Sequence, residues 1–243
     1  CYSGPVVGGF TLQADGKLLL FMDKGAIRVW HDGFFETVIE SIAAEQDSRF
    51  NDVIADPEGR VFCGTMATRE HDGRLYRLDP DGSLHVVVEG VGVSNGMGFT
   101  PDGQGLYYTD TRKRTIDLFD YDRATGEISN RRLFAAVPGG EGGPDGMTVD
   151  AEGMVWSARW GGSCVVRYDA QGKCLVTNDF YAGSWLGEGK DARRVRGAVR
   201  DTKSQILLQD PLPRADLEKL YGGRTVRLWQ YGVGDSIEIP RVK

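Results

Sequence analysis

The sequence predicts an all-β protein built as a β-propeller, and three observations carry that expectation. Tight turns closed by Gly16, Gly59, Gly103 and Gly153 recur about 43 to 50 residues apart, the period of a propeller blade. Each turn joins two apolar runs, and between these units lies a second hairpin whose apolar and polar residues alternate with period two, as antiparallel strands do. The 34 glycines in 243 residues are about twice the usual share, and they fall in turns rather than in a low-complexity run. Helix signals are nearly absent. A stacked β-sandwich is the rival arrangement of the same strands.

Taken in order, the first unit joins Gly9-Phe10-Thr11-Leu12 to Lys17-Leu18-Leu19-Leu20 through Asp15-Gly16. The second joins Asp52-Val53-Ile54-Ala55 to Arg60-Val61-Phe62 through Asp56-Pro57-Glu58-Gly59. In the third, Met97-Gly98-Phe99 meets Leu106-Tyr107-Tyr108 across Thr100-Pro101-Asp102-Gly103. The fourth pairs Met147-Thr148-Val149 with Met154-Val155-Trp156 across Asp150-Ala151-Glu152-Gly153. The second type of hairpin spans residues 74–88, 115–133 and 164–174, turning at Asp81-Gly82, Gly126-Glu127 and Gln171-Gly172. Four strands per blade follow. After Leu175 the pattern degrades. Residues 190–200 are a basic run that reads as a solvated loop, 215–221 as a short helical turn, and 223–229 and 236–240 as strands. One domain over residues 1–243 is expected, with 176–243 as a divergent closing region.

A net charge of −6 and a pI near 5.2 argue against nucleic acid, which needs a basic face, and against polybasic membrane docking. A cation is the more natural partner. Cys1, Cys63, Cys164 and Cys174 form no Cys-x-x-Cys pair, and with three histidines a zinc site has little support. Cys63 and Cys164 read as small core residues; a Cys164–Cys174 bridge across a hairpin is the other option. No apolar run reaches the length of a membrane span and no secretory segment is visible, so cytoplasmic is the default expectation.

The chemistry gathers in residues 93–150. Ser94-Asn95-Gly96-Met97 and Pro144-Asp145-Gly146-Met147 share one plan: an oxygen-bearing side chain, Gly, Met, a short apolar strand and an acidic-Gly turn. If strands of successive blades start near a common axis, Asn95 and Asp145 converge there. Ordinary Asn-Gly and Asp-Gly turns are the bland alternative.

Further motifs make a family recognisable. Arg49-Phe50-Asn51-Asp52, Gly64-Thr65-Met66, Ser94-Asn95-Gly96, Phe119-Asp120-Tyr121-Asp122 with Gly126-Glu127-Ile128-Ser129-Asn130-Arg131-Arg132, and Pro144-Asp145-Gly146-Met147 occur in order. Over roughly residues 5–175 the chain resembles the gluconolactonase, regucalcin and luciferin-regenerating enzyme family. The resemblance implies six four-stranded blades, with a ring closure here open to being incomplete or permuted. It also implies one divalent cation in the central channel and hydrolysis of sugar lactones or related esters. The metal ligands map onto Asn95 and Asp145, and substrate contacts onto Arg49, Asn51 and Met66. The family's third ligand is a Glu on an opening Gly-Glu-(Ser/Pro)-Pro-like strand, and the chain starts downstream of that strand. Glu188, in Leu186-Gly187-Glu188-Gly189, would take its place if the chain order were circularly permuted.

Carboxamide and carboxylate oxygens suit a hard cation, Ca²⁺ first, with Mg²⁺, Mn²⁺ or Zn²⁺ as the other choices. The expected activity is a metal-dependent lactonase or esterase on a small-molecule lactone or ester, with Asp145 activating the attacking water and Arg49 and Asn51 holding substrate oxygens. A ligand that is also the base is chemically strained. Glu141 is close in sequence but reads as a solvated loop carboxylate. His31, His71 and His85 sit beside no nucleophile, Ser94 lacks a nucleophile-elbow context, and Trp156 and Trp160 read as packing. The competing functions are a non-catalytic calcium-binding propeller or scaffold, and an enzyme that kept the fold but lost the site.

Overall fold

A computed structural model describes residues 5–162, 164–179, 197–200 and 205–208. The chain divides into two compact units, Cys1–Thr177 and Asn178–Lys243. The first unit contains four four-stranded antiparallel sheets. They are β1 (Val7–Leu12), β2 (Leu18–Met22), β3 (Ile27–His31) and β4 (Phe34–Ile39); then β5 (Phe50–Ala55), β6 (Val61–Thr65), β7 (Gly73–Leu78) and β8 (Leu84–Val91). The third sheet is β9 (Ser94–Phe99), β10 (Gly105–Asp110), β11 (Thr115–Tyr121) and β12 (Ile128–Ala136). The fourth is β13 (Gly143–Val149), β14 (Val155–Trp160), β15 (Cys164–Tyr168) and β16 (Cys174–Asp179). In the second unit, β17 (Gly197–Arg200) pairs antiparallel with β18 (Gln205–Leu208). A single 3-10 turn, Ala43–Glu45, is the only helical element among the described residues.

The turns form where the sequence places them. Gly16, Gly59, Gly103 and Gly153 hold φ between 67° and 85°, a left-handed conformation that costs a side-chain-bearing residue about 1–2 kcal/mol. An aspartate opens several of these turns and closes them by itself. Asp56 Oδ1 accepts the N–H of Glu58 and of Arg60, both at 2.8 Å. Asp150 does the same for Glu152 at 3.0 Å and Met154 at 2.9 Å, and Asp169 for Gln171 at 3.0 Å and Lys173 at 2.8 Å. These are Asx turns, and they need no help from the rest of the fold. The β3–β4 hairpin, which alternation alone does not mark, turns on Asp32 (φ 49°) and Gly33 (φ 88°), a two-residue Asp-Gly connection.

The middle strands of the second and third sheets are buried on both faces because each of these sheets packs between two others. Every residue of β6 and of β10 is buried. Phe62 packs with Leu106, Tyr108, Phe119 and Tyr121 of the third sheet, while its neighbour Cys63 packs with Leu19, Phe21 and Ile27 of the first. Tyr107, pointing opposite to Leu106 and Tyr108, joins Val155, Val166 and Tyr168 of the fourth sheet. Period-two alternation thus sends one set of side chains to the preceding blade and one to the following blade. At roughly 1.5–3 kcal/mol per buried large apolar side chain, these three layers are the main attraction between blades. Cys63, buried, and Cys174, exposed, are free thiols, so no bridge joins Cys174 to the partly buried Cys164.

Candidate functional site

Strands β1, β5, β9 and β13 lead their sheets, and each lies against the next in that order. All four carry one extra residue at the same point of the strand. Register slips between Val7 and Gly9, between Phe50 and Val53, between Asn95 and Met97, and between Pro144 and Met147. A bulge interrupts strict alternation and re-aims the side chains beside it. In three of the four strands the residues at the bulge are Asn51 and Asp52, Asn95 and Gly96, and Asp145 and Gly146.

Close approach of the strands brings these residues together. A Cβ on Gly96 would lie 2.5 Å from Met147 N and 2.6 Å from Asp145 O, so β9 and β13 touch backbone to backbone here. Asn51 Nδ2 donates to Ser94 O at 2.8 Å, which ties the β5 bulge to the residue preceding Asn95. Asn95, 9% exposed, donates its Nδ2 to Thr111 Oγ1 at 3.1 Å, and Thr111 Oγ1 donates to Pro144 O at 2.6 Å. One hydrogen-bonded path therefore links the bulges of β9 and β13.

Arg49 and Met66 lie on the rim next to these bulges. Arg49 pairs with Asp23 as an isolated bridge, and its carbonyl accepts from Met66 N at 3.2 Å. Met66 in turn bridges Val93, whose carbonyl accepts from Thr111 N at 3.0 Å. Arg49 Nη1 donates to Phe50 O at 2.9 Å, and no ion pair holds its guanidinium among the described residues. Further along the same strands, stretches of β5, β9 and β13 beginning at Asp52, Met97 and Met147 line a cavity of about 390 Å³.

Asp52 is an acid that the motifs alone do not single out. Its carboxyl pKa is raised, first by burial and further by the negative charge of Asp145, although the Val53 N–H at 2.9 Å pulls the other way. Two carboxylates that sense each other beside a cavity are an arrangement proton transfer uses. Asp52 is visible within Arg49-Phe50-Asn51-Asp52, but alternation assigns it to the face opposite Asn51. The bulge lifts that constraint, because the register slips across both residues.

The donor set fits a hard cation. The Nδ2 ends of Asn51 and Asn95 are spent on Ser94 O and Thr111 Oγ1, leaving both Oδ1 atoms without a hydrogen bond among the described residues. The Asp145 carboxylate also has no hydrogen-bond partner there. Among the described residues no three His, Cys, Asp or Glu side chains gather. Carboxamides must therefore supply part of any ligand shell, and oxygen donors of this kind suit Ca²⁺ and its hard relatives. Glu188 lies outside the described residues.

Several secondary candidates resolve as well. Glu141 is exposed on its loop. Trp156 packs as expected, donating Nε1 to Asp150 at 2.9 Å under the Arg167 guanidinium. Trp160 does not: it is 74% exposed. His71 pairs with Asp47 at 2.7 Å, away from any nucleophile. Ser94 is fully buried. No helix among the described residues is long and apolar enough to cross a membrane.

A family model described as the SMP-30/Gluconolactonase/LRE-like region matches residues 2–181. The chain belongs to this family. Among curated relatives, the pentonolactonase XacC of Haloferax volcanii is 51% identical over 167 residues, covering 69% of this chain and 57% of that protein. Two solved members of the family share the fold. A luciferin-regenerating enzyme aligns with a TM-score of 0.67 at 28% identity, covering 74% of this chain and 64% of its own. The calcium-binding protein regucalcin of Agrobacterium tumefaciens str. C58 aligns at 0.64 and 28% identity, covering 70% and 59%. The chain spans about three fifths of the length of the curated relatives it matches.

Proposed function

We propose that the chain is a cation-dependent hydrolase of sugar lactones or related esters. The observation that carries this reading is the convergence of three bulged strands. Their bulges carry Asn51, Asp52, Asn95 and Asp145 with most of their oxygen acceptors unspent, and Asp52 opens one of the stretches that line the cavity. The lactonase names of the family and of its Haloferax volcanii member support the substrate class.

Asn95 and Asp145 would hold the cation; Ca²⁺ is the first choice, ahead of Mg²⁺, Mn²⁺ and Zn²⁺. When bound, such an ion supplies Lewis-acid polarisation of the lactone carbonyl. Arg49 and Asn51 hold substrate oxygens, and Met66 gives an apolar contact at the rim. Asp145 orients the attacking water, and Asp52 beside it takes up the proton. With this division Asp145 need not be ligand and base at once, since coordination lowers the basicity of a ligand whereas burial raises that of Asp52. Proton release at neutral pH then accompanies each ring opening, because the product is an aldonic acid.

A pH-stat assay against pentono- and hexonolactones, with chelator and then with Ca²⁺, Mg²⁺, Mn²⁺ or Zn²⁺ restored, tests the reading. Turnover should vanish on chelation, return with one of the ions, and fall by roughly 10²-fold or more in Asn95→Ala and Asp145→Ala. Tight cation binding without turnover of any lactone or ester would replace it with a non-catalytic calcium-binding propeller; the Agrobacterium tumefaciens relative is described as a calcium-binding protein.

A further inference from the structure

We propose that Thr111 is a positioning residue that sets which end of the Asn95 carboxamide faces the cation. This rests on the reading of Asn95 and Asp145 as cation ligands. Thr111 follows β10 and touches neither cation nor substrate in that reading. Its hydroxyl has one proton, and the partner at 2.6 Å, Pro144 O, can only accept. The proton is therefore spent there, and toward Asn95 at 3.1 Å the same oxygen can only accept in turn. Asn95 must present its NH₂ to Thr111, which turns Oδ1 to the opposite side. Without the hydroxyl, no hydrogen bond among the described residues fixes the amide before the ion arrives, and the ion must turn it at its own expense.

The threonine itself is held rigidly enough to do this. Its N–H donates to Val93 O at 3.0 Å and its carbonyl accepts from Arg114 N at 3.2 Å. Branching at Cβ restricts the side-chain torsion. Across the gap, a Cβ on Gly143 would lie 2.8 Å from Thr111 Cγ2, so the absence of a side chain there makes room for the methyl group. The hydroxyl also grips the carbonyl that immediately precedes Asp145. A single group thus sets the orientation of one proposed ligand and the backbone position of the other.

The test is calorimetric titration of the full chain with Ca²⁺, alongside thermal melts without added cation. Thr111→Val keeps shape and branching but removes the hydroxyl, and should weaken Ca²⁺ binding about 10- to 100-fold. Thr111→Ala, a second hydroxyl-free variant that removes the contact with Gly143, should do the same, and Thr111→Ser should restore affinity to within a few-fold. In an Asn95→Asp background the effect of Thr111→Val should shrink to the few-fold left by the lost Pro144 contact, since a carboxylate has no wrong end. Unchanged affinity in both hydroxyl-free variants, or an equal loss in the Asn95→Asp background, would overturn the positioning role while leaving the cation site standing. Absence of Ca²⁺, Mg²⁺, Mn²⁺ and Zn²⁺ binding by the unsubstituted chain would overturn the cation site, and this role with it.

Discussion

Asp52, at the bulge within β5, and Asp56, just past the end of that strand, sit four residues apart and live in opposite circumstances. Asp56, at the turn, accepts four hydrogen bonds: from Glu58 N, Arg60 N, Arg60 Nη1 at 2.9 Å and the Tyr121 hydroxyl at 2.7 Å. Burial alone would raise its pKa, but the tyrosine and the arginine outweigh burial and hold the carboxyl below its ordinary value. Asp52, at the bulge, receives only the N–H of the next residue, and its pKa is raised. The turn end of the blade spends its acids on structure. At the bulge Asp52 stays largely unspent, and an unspent acid beside a cavity is available for chemistry.

The comparison breaks first at Asp56. Asp56→Ala strands the Tyr121 hydroxyl and takes from Arg60 its carboxylate partner, and should cost about 3–5 kcal/mol, read from denaturant unfolding. Gly96→Ala is the next largest effect. Its Cβ meets backbone rather than flexible side chain, so about 2–3 kcal/mol should be lost, while Gly146→Ala, with nothing within 4 Å of its Cβ, should be nearly neutral. If the two glycines behave alike, the tight approach of β9 and β13 is not what shapes the site.

Asp52→Asn should act in the reverse sense. A carboxyl with a raised folded pKa adds stability only while protonated and loses it as pH rises above 3.8 toward the folded value. At neutral pH its charge therefore works against folding. The asparagine variant should melt a few degrees higher at pH 7, match the parent near pH 3, and lose most lactone turnover. Asp150→Asn should have the smallest effect and the opposite pH sense. Burial opposes ionisation of Asp150, but the Trp156 and Arg167 contacts prevail and bring its pKa down to about 2. The stability it contributes is complete above 3.8 and lost as pH falls toward 2, so the variant should flatten only that acid limb in melts across pH.

Much of the architecture was legible because it is written locally. Gly59 with Asp56, or Gly153 with Asp150, announces its turn in four residues, and Phe62 next to Cys63 announces a strand buried on both faces. Asn95 and Asp145, the proposed ligands, stand out in the sequence through the repeated context around them. Asp52 and Thr111 do not, for a physical reason: register is a relation between strands, and a bulge at Asn51–Asp52 leaves no trace in one strand's composition. Thr111 looks like any threonine after a strand until Pro144 and Asn95 appear on either side of its hydroxyl.

The self-closing aspartate turns also bear on how such a chain is made. A hairpin whose turn satisfies its own backbone can form as soon as it leaves the ribosome, without waiting for distant segments. Within a blade every strand pairs with its sequence neighbour, so contact order stays low at that level and the nascent chain can consolidate one blade at a time. Lasting order would come only when the next blade arrives to cover the apolar face left open by the last.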